Sequence, residues 1–67
     1  MIYNVRWMLA DETEERRSRN YALESDAIAF ACTILAQMSV RNIRVTDMTG
    51  QQVMVMPDIL RHCRVAK

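Results

Sequence analysis

A chain of 67 residues with a net charge of +1 is one small domain, spanning 1–67. It can bury only about 60 % of the surface that its unfolded form exposes, so a disulfide, a metal or a second subunit would normally help it fold. The charge balance excludes a field strong enough to steer it to nucleic acid or an anionic membrane, and Ala27 to Cys32, the longest apolar run, is too short to cross a bilayer.

The first predicted strand is Ile2 to Leu9. Period-two alternation puts Tyr3, Val5, Trp7 and Leu9 on one face and Asn4, Arg6 and Met8 on the other. Residues 10 to 23 admit two readings. Asp11 could cap a helix with Glu12–Arg16 and Glu15–Arg19 pairs, but such a helix would have no apolar stripe to bury before Tyr21. The favoured reading makes Asp11 to Glu15 a solvated loop and Arg17 to Leu23 a strand that brings Tyr21 and Leu23 to the core.

A helix follows, capped by Ser25 or Asp26 and uninterrupted by glycine or proline from Ala27 to Met38. Its apolar residues fill an arc of roughly 200°, wider than the stripe of about 100° that packing on one sheet requires. A second surface, either the C-terminal segment or a partner subunit, is expected to cover the surplus. The stretch Val40 to Met56 then spells a β-hairpin. Ile43, Val45, Val53 and Val55 alternate with other residues around an Asp47-Met-Thr-Gly50 turn, where Asp bonds its own backbone and Gly accepts positive φ. Pro57 ends the last strand and suits the first turn of a short helix, with Ile59, Leu60 and Cys63 turned toward the domain. Residues 65–67 are expected to fray.

These elements predict an α+β fold. It comprises a three- to four-stranded antiparallel sheet in ββαββ or βαββ order, one main helix on one face and a short C-terminal helix. Trp7, Val5, Tyr21, Ile34, Leu35, Val45 and Val53 form the expected core. The run YALESDAIAFACTIL placed before IRVTDMTGQQV resembles small bacterial domain families of unknown function, built as hairpin, A-x-x-A helix and V-x-D-x-x-G hairpin. The likeness covers about two thirds of the chain and rests on Tyr21, Ala27, Ala31, Val45, Asp47 and Gly50. It implies a helix on one face of an antiparallel sheet and no activity. The arginine-rich second segment and the helical tail depart from the pattern.

Chemistry-bearing residues are few. Cys32 and Cys63 are too few for a disulfide scaffold, and the N-terminus has no secretory leader, so free thiols and a cytoplasmic location are expected. His62 and Cys63 are neighbours and point about 100° apart on a helix, which denies them the nucleophile-to-base hydrogen bond of thiol catalysis. No zinc spacing, no calcium loop and, with a single glycine, no phosphate loop is present. Neither catalytic residue, metal site nor cofactor is expected.

The sheet face away from the helix is the more informative surface. It is predicted to show Arg6 and Arg44 with Asn4, Thr46 and Gln52, and with Met8, Met54 and Met56 among them. Methionine adapts its shape and arginine is enriched in interfaces, so this mixture fits protein contact. Nucleic-acid readers usually add stacking aromatics or a strongly basic domain. The expected function is a non-enzymatic interaction or regulatory module, self-associating as a homodimer, with Arg6, Met8, Phe30, Arg44, Met54 and Met56 as candidate interface. The alternative is a nucleic-acid-binding accessory protein that uses Arg6, Arg44 and the Arg16–Arg19 segment.

Overall fold

A computed structural model describes residues 1–63. Its elements are β1 (Tyr3–Leu9), β2 (Arg16–Arg17), α1 (Glu24–Gln37), β3 (Val40–Asp47), β4 (Gln52–Met54) and α2 (Met56–Cys63). The four strands form one antiparallel sheet in the order β2-β1-β3-β4, so the fold is α+β as expected. The expected fraying at 65–67 lies outside the described residues.

β1 pairs with β3 along its whole length, with Val5 opposite Val45 and Trp7 opposite Ile43. These four are buried with Ala27, Ile28, Ala31 and Ile34 of α1 and Ile59 of α2. Tyr21, Leu35 and Val53 pack half-buried against them. Trp7 meets Phe30 at 5.6 Å between ring centroids, and Phe30 meets Tyr21 at 5.8 Å. Phe30 is therefore half-buried in an aromatic cluster and does not stand on a free flank of the helix.

The second strand is shorter than expected, and Ser18 is the reason. Its backbone N–H donates to Val5 O at 2.8 Å, but its hydroxyl oxygen takes the Val5 N–H, also at 2.8 Å, where a carbonyl would continue the ladder. Pairing resumes for one residue, as Tyr21 and Tyr3 exchange backbone bonds at 2.8 and 2.7 Å. Leu23 does not reach the core; it is 59 % exposed and serves as the N-cap of α1. The expected Ser25 or Asp26 cap is displaced into the first turn, where Glu24 and Asp26 complement the positive end of the helix dipole.

The closing hairpin turns as predicted. Asp47 Oδ1 accepts from the Thr49 hydroxyl at 2.6 Å and from the Thr49 and Gln51 N–H groups at 2.9 and 3.1 Å. Gly50 takes φ +89°, and its N–H donates to Asp47 O at 3.0 Å. This is the three-residue hairpin connection, whose last loop position calls for glycine. The Thr49 hydroxyl, aided by the backbone donors, holds the Asp47 carboxyl below its ordinary value.

A bulge after the turn overturns the predicted faces of β4. Thr46 pairs with Gln52 but Val45 pairs with Met54, leaving Val53 as the extra residue. One added residue inverts the alternation beyond it. Met54 thus falls on the core side with Val45, Met56 also packs against the core, and Val55 is 39 % exposed.

α2 folds back so that Cys63 is disulfide-bonded to Cys32 of α1, across 31 positions of sequence and 5.4 Å between Cα atoms. The expectation of free thiols is corrected: no free cysteine remains. The second cover of α1 is accordingly the C-terminal helix. Ile59 is fully buried beneath it, whereas Leu60, expected to face the domain, is 46 % exposed.

Candidate interaction surface

Both helices lie on the face of Val5, Trp7, Ile43 and Val45, and the least extent of the molecule, 17 Å, leaves room for two layers. The other sheet face is set by register. Arg6 stands opposite Arg44 on one side and opposite Arg17 on the other, so three arginines form a row across β2, β1 and β3. Like charges directly opposite on neighbouring strands repel. One carboxylate offsets them: Glu15, from the loop joining β1 to β2, lies 3.1 and 3.0 Å from Arg44 Nη2 through its two oxygens and 3.8 Å from Arg6 Nη1. Arg17 has no ion pair among the described residues. The Arg6 Nε is buried and has no acceptor among the described residues. Ion pairs this exposed contribute at most about 1 kcal/mol, so stability does not account for the row.

A second bulge extends this surface. Met8 pairs with Asn42 and Leu9 with Val40, which leaves Arg41 as the extra residue on β3. Its guanidinium lies 4.0 Å from Met8 Sδ and donates to Ala10 O at 3.1 Å. At the other end of the face the Thr46 hydroxyl donates to Asn4 Oδ1 at 2.8 Å, and both residues are buried. They close that end of the surface and are not contact residues in waiting.

Of the sequence-predicted interface residues, Arg6, Met8 and Arg44 come together on this face, while Phe30, Met54 and Met56 belong to the core side. Sequence reasoning missed Glu15 and Arg41. The acidic run was expected to be a solvated loop, with a Glu15–Arg19 pair only in the helical alternative. It divides its work instead: Glu12 holds Arg16 at 2.7 and 2.9 Å, and Glu15 crosses to β3. The Arg16 guanidinium lowers the Glu12 carboxyl from its ordinary value and is itself raised by it. Arg19 lies over the Tyr21 ring, 5.4 Å from its centroid.

The remaining chemistry is sparse. Cys63 is bonded to Cys32 and offers no thiolate. His62 lines an open depression with Glu24, Ser25, Ile28, Ala29 and Cys32. Among the described residues, no three His, Cys, Asp or Glu side chains converge as metal ligands, and no helix is long and apolar enough to cross a membrane. Comparisons with protein families, with curated proteins and with solved structures find no match.

Proposed function

We propose that this chain is a small non-enzymatic interaction module whose working surface is the helix-free face of the sheet. The observation that carries the reading is the Arg17–Arg6–Arg44 row, aligned by strand register and only partly neutralised by Glu15. A protein partner suits it, because guanidinium forks pair with carboxylates in fixed geometry and Met8 beside them adapts its shape. The kinship with small bacterial hairpin–helix–hairpin domains belongs to the same proposal. It is supported by Ala27 and Ala31 lying buried against the sheet and by Asp47 and Gly50 making the turn.

Self-association is the second part of the reading. β4 is an outer strand of only three residues, which offers a copy little backbone to pair with, so the contact is proposed on the apolar Val55 and Leu60 that stand exposed beyond it. The compartment follows from the bridge. Disulfides persist in oxidising surroundings and are rare in the cytosol, so the Cys32–Cys63 bond favours an oxidising compartment over the cytoplasmic location expected from the sequence.

Nucleic acid is the competing partner, favoured by the same uncompensated arginines. It ranks second because, among the described residues, no aromatic ring shares the face for base stacking. Amide-shift mapping with a glutamate-rich peptide and with single-stranded RNA, at physiological salt, separates the two. Peptide-induced shifts confined to β1 and β3 around Arg6 and Arg44 are expected. Shifts confined to the helix face would overturn the proposal, and tighter binding of the RNA would put the second reading in its place.

A further inference from the structure

We propose that Glu15 is a tethered occupant of an anion site formed by Arg6, Arg44 and Arg17, and that the site's ligand is an acidic peptide segment whose carboxylates displace it. The inference rests on the reading of the helix-free face as the working surface and names what that surface takes.

Three observations carry it. The arginines are held by the backbone register of three adjacent strands, so their charges face one another whatever the loop does. Among the described residues the single carboxylate set on them comes from a loop, residues 10–15 between β1 and β2, and not from the sheet. Ala10 and Glu12 anchor the start of that loop, but among the described residues Glu15 alone of 13–15 makes a side-chain hydrogen bond or ion pair, so this short stretch can move off the surface without unfolding the strands beneath it. The site is also under-filled. Among the described residues one carboxylate faces two guanidiniums, the third has no ion pair, and the buried Arg6 Nε has no acceptor.

The ligand class follows from the occupant and from the spacing. A carboxylate already sits between Arg6 and Arg44, so the site is shaped for that group. Adjacent strands lie about 4.8 Å apart, which sets the outer arginines of the row on the order of 10 Å apart at the backbone. Alternate side chains of an extended peptide stand about 7 Å apart on one face, within the reach of long arginine side chains from either end. Two acidic residues separated by one would therefore replace Glu15 and also engage Arg17. Glu15 then acts as an internal competitor that weakens casual anions and yields to a ligand offering two charges at once.

The experiment titrates the folded chain with an extended Glu-x-Glu-x-Glu peptide at physiological salt and compares Glu15→Gln and Arg44→Gln with the parent. Removing the competitor should tighten binding roughly threefold, the scale on which a partly exposed ion pair operates. R44Q should weaken it by a similar or larger factor. In the parent, amide signals of residues 13–15 should move toward unstructured positions as peptide binds. Peptide binding that maps to β1 and β3 but is unchanged by E15Q, with residues 13–15 undisturbed, would overturn the tethered occupant while leaving the interaction face standing. Loss of peptide binding altogether would overturn both. Equal binding of inorganic phosphate would show an unselective anion site and overturn the peptide assignment.

Discussion

On the helix side of the sheet Val5, Ile43 and Val45 are fully closed to solvent. One position along the same strands, Arg6 and Arg44 keep 32 % and 28 % of their side-chain surface exposed. The two faces share a backbone, a register and a turn, yet only one of them is filled. The closed face is held by shape and by a covalent tie between its helices. The open face places like charges side by side, an arrangement that does nothing for folding. The contrast teaches that packing explains one set of alternate residues in β1 and β3, and that in the other set Arg6 and Arg44, unlike the buried Asn4 and Thr46, stay open to a partner.

The sharpest way to break the comparison is to hollow the closed face. Ile43→Ala should cost about 2–5 kcal/mol, a large share of what so small a domain possesses, read by urea unfolding. A loss within experimental scatter of the parent would mean that the faces are not divided as described. Next comes the staple. Reducing the Cys32–Cys63 bridge, or replacing both cysteines by alanine, should lower stability by about 3.7 kcal/mol for a loop of this length. Thermal melts with and without reductant would show it, and identical melts would remove the bridge from the account of the closed face.

The turn aligns both faces and should matter less. Gly50→Ala meets no neighbouring atom, so its cost comes from the positive φ alone, about 1–2 kcal/mol. The same turn carries a pH dependence. The folded Asp47 carboxyl lies below its ordinary value of 3.8. Its contribution is therefore complete above that value and is lost as pH falls through the lowered folded value. Unfolding followed into acid should show this destabilisation, and Asp47→Asn should abolish that share of it.

The smallest effect is expected on the open face. Arg44→Gln should change stability by no more than about 0.5 kcal/mol, because removing one of two opposed arginines relieves repulsion while the Glu15 pair is lost. A loss as large as that of Ile43→Ala would show that the row is a structural device after all.

Alternation along the first strand already told Val5 and Trp7 from Arg6, and the Asp47–Gly50 turn was legible from residue types whose backbone chemistry is specific. What stayed hidden depended on single added residues and on distance in sequence. Bulges at Arg41 and Val53 have no signature in a lone sequence, yet the second moved Met54 to the core and the first brought Arg41 beside Met8. The serine that interrupts β2 acts through its hydroxyl, which composition cannot anticipate. Two cysteines separated by 31 positions say nothing of proximity until the last helix is seen to fold back on the first. The arginines of the site were visible as residues, but their row is a property of three strands and could not be read from any one of them.

The sheet order has a consequence for how the molecule is made. The first strand lies at the centre, and its main partner arrives late: Asn4 waits for Thr46, 42 positions on. Ribosomes add about 5–20 residues each second, so that interval lasts roughly 2–8 s, whereas a helix such as α1 can form in about a microsecond. Throughout it Val5 and Trp7 have only the two-residue β2 and Ser18 to pair with and no closed layer to enter. The nascent chain therefore carries its most hydrophobic strand unprotected for far longer than its helix, and translation speed, not helix formation, sets how long chaperones or neighbouring chains can reach it.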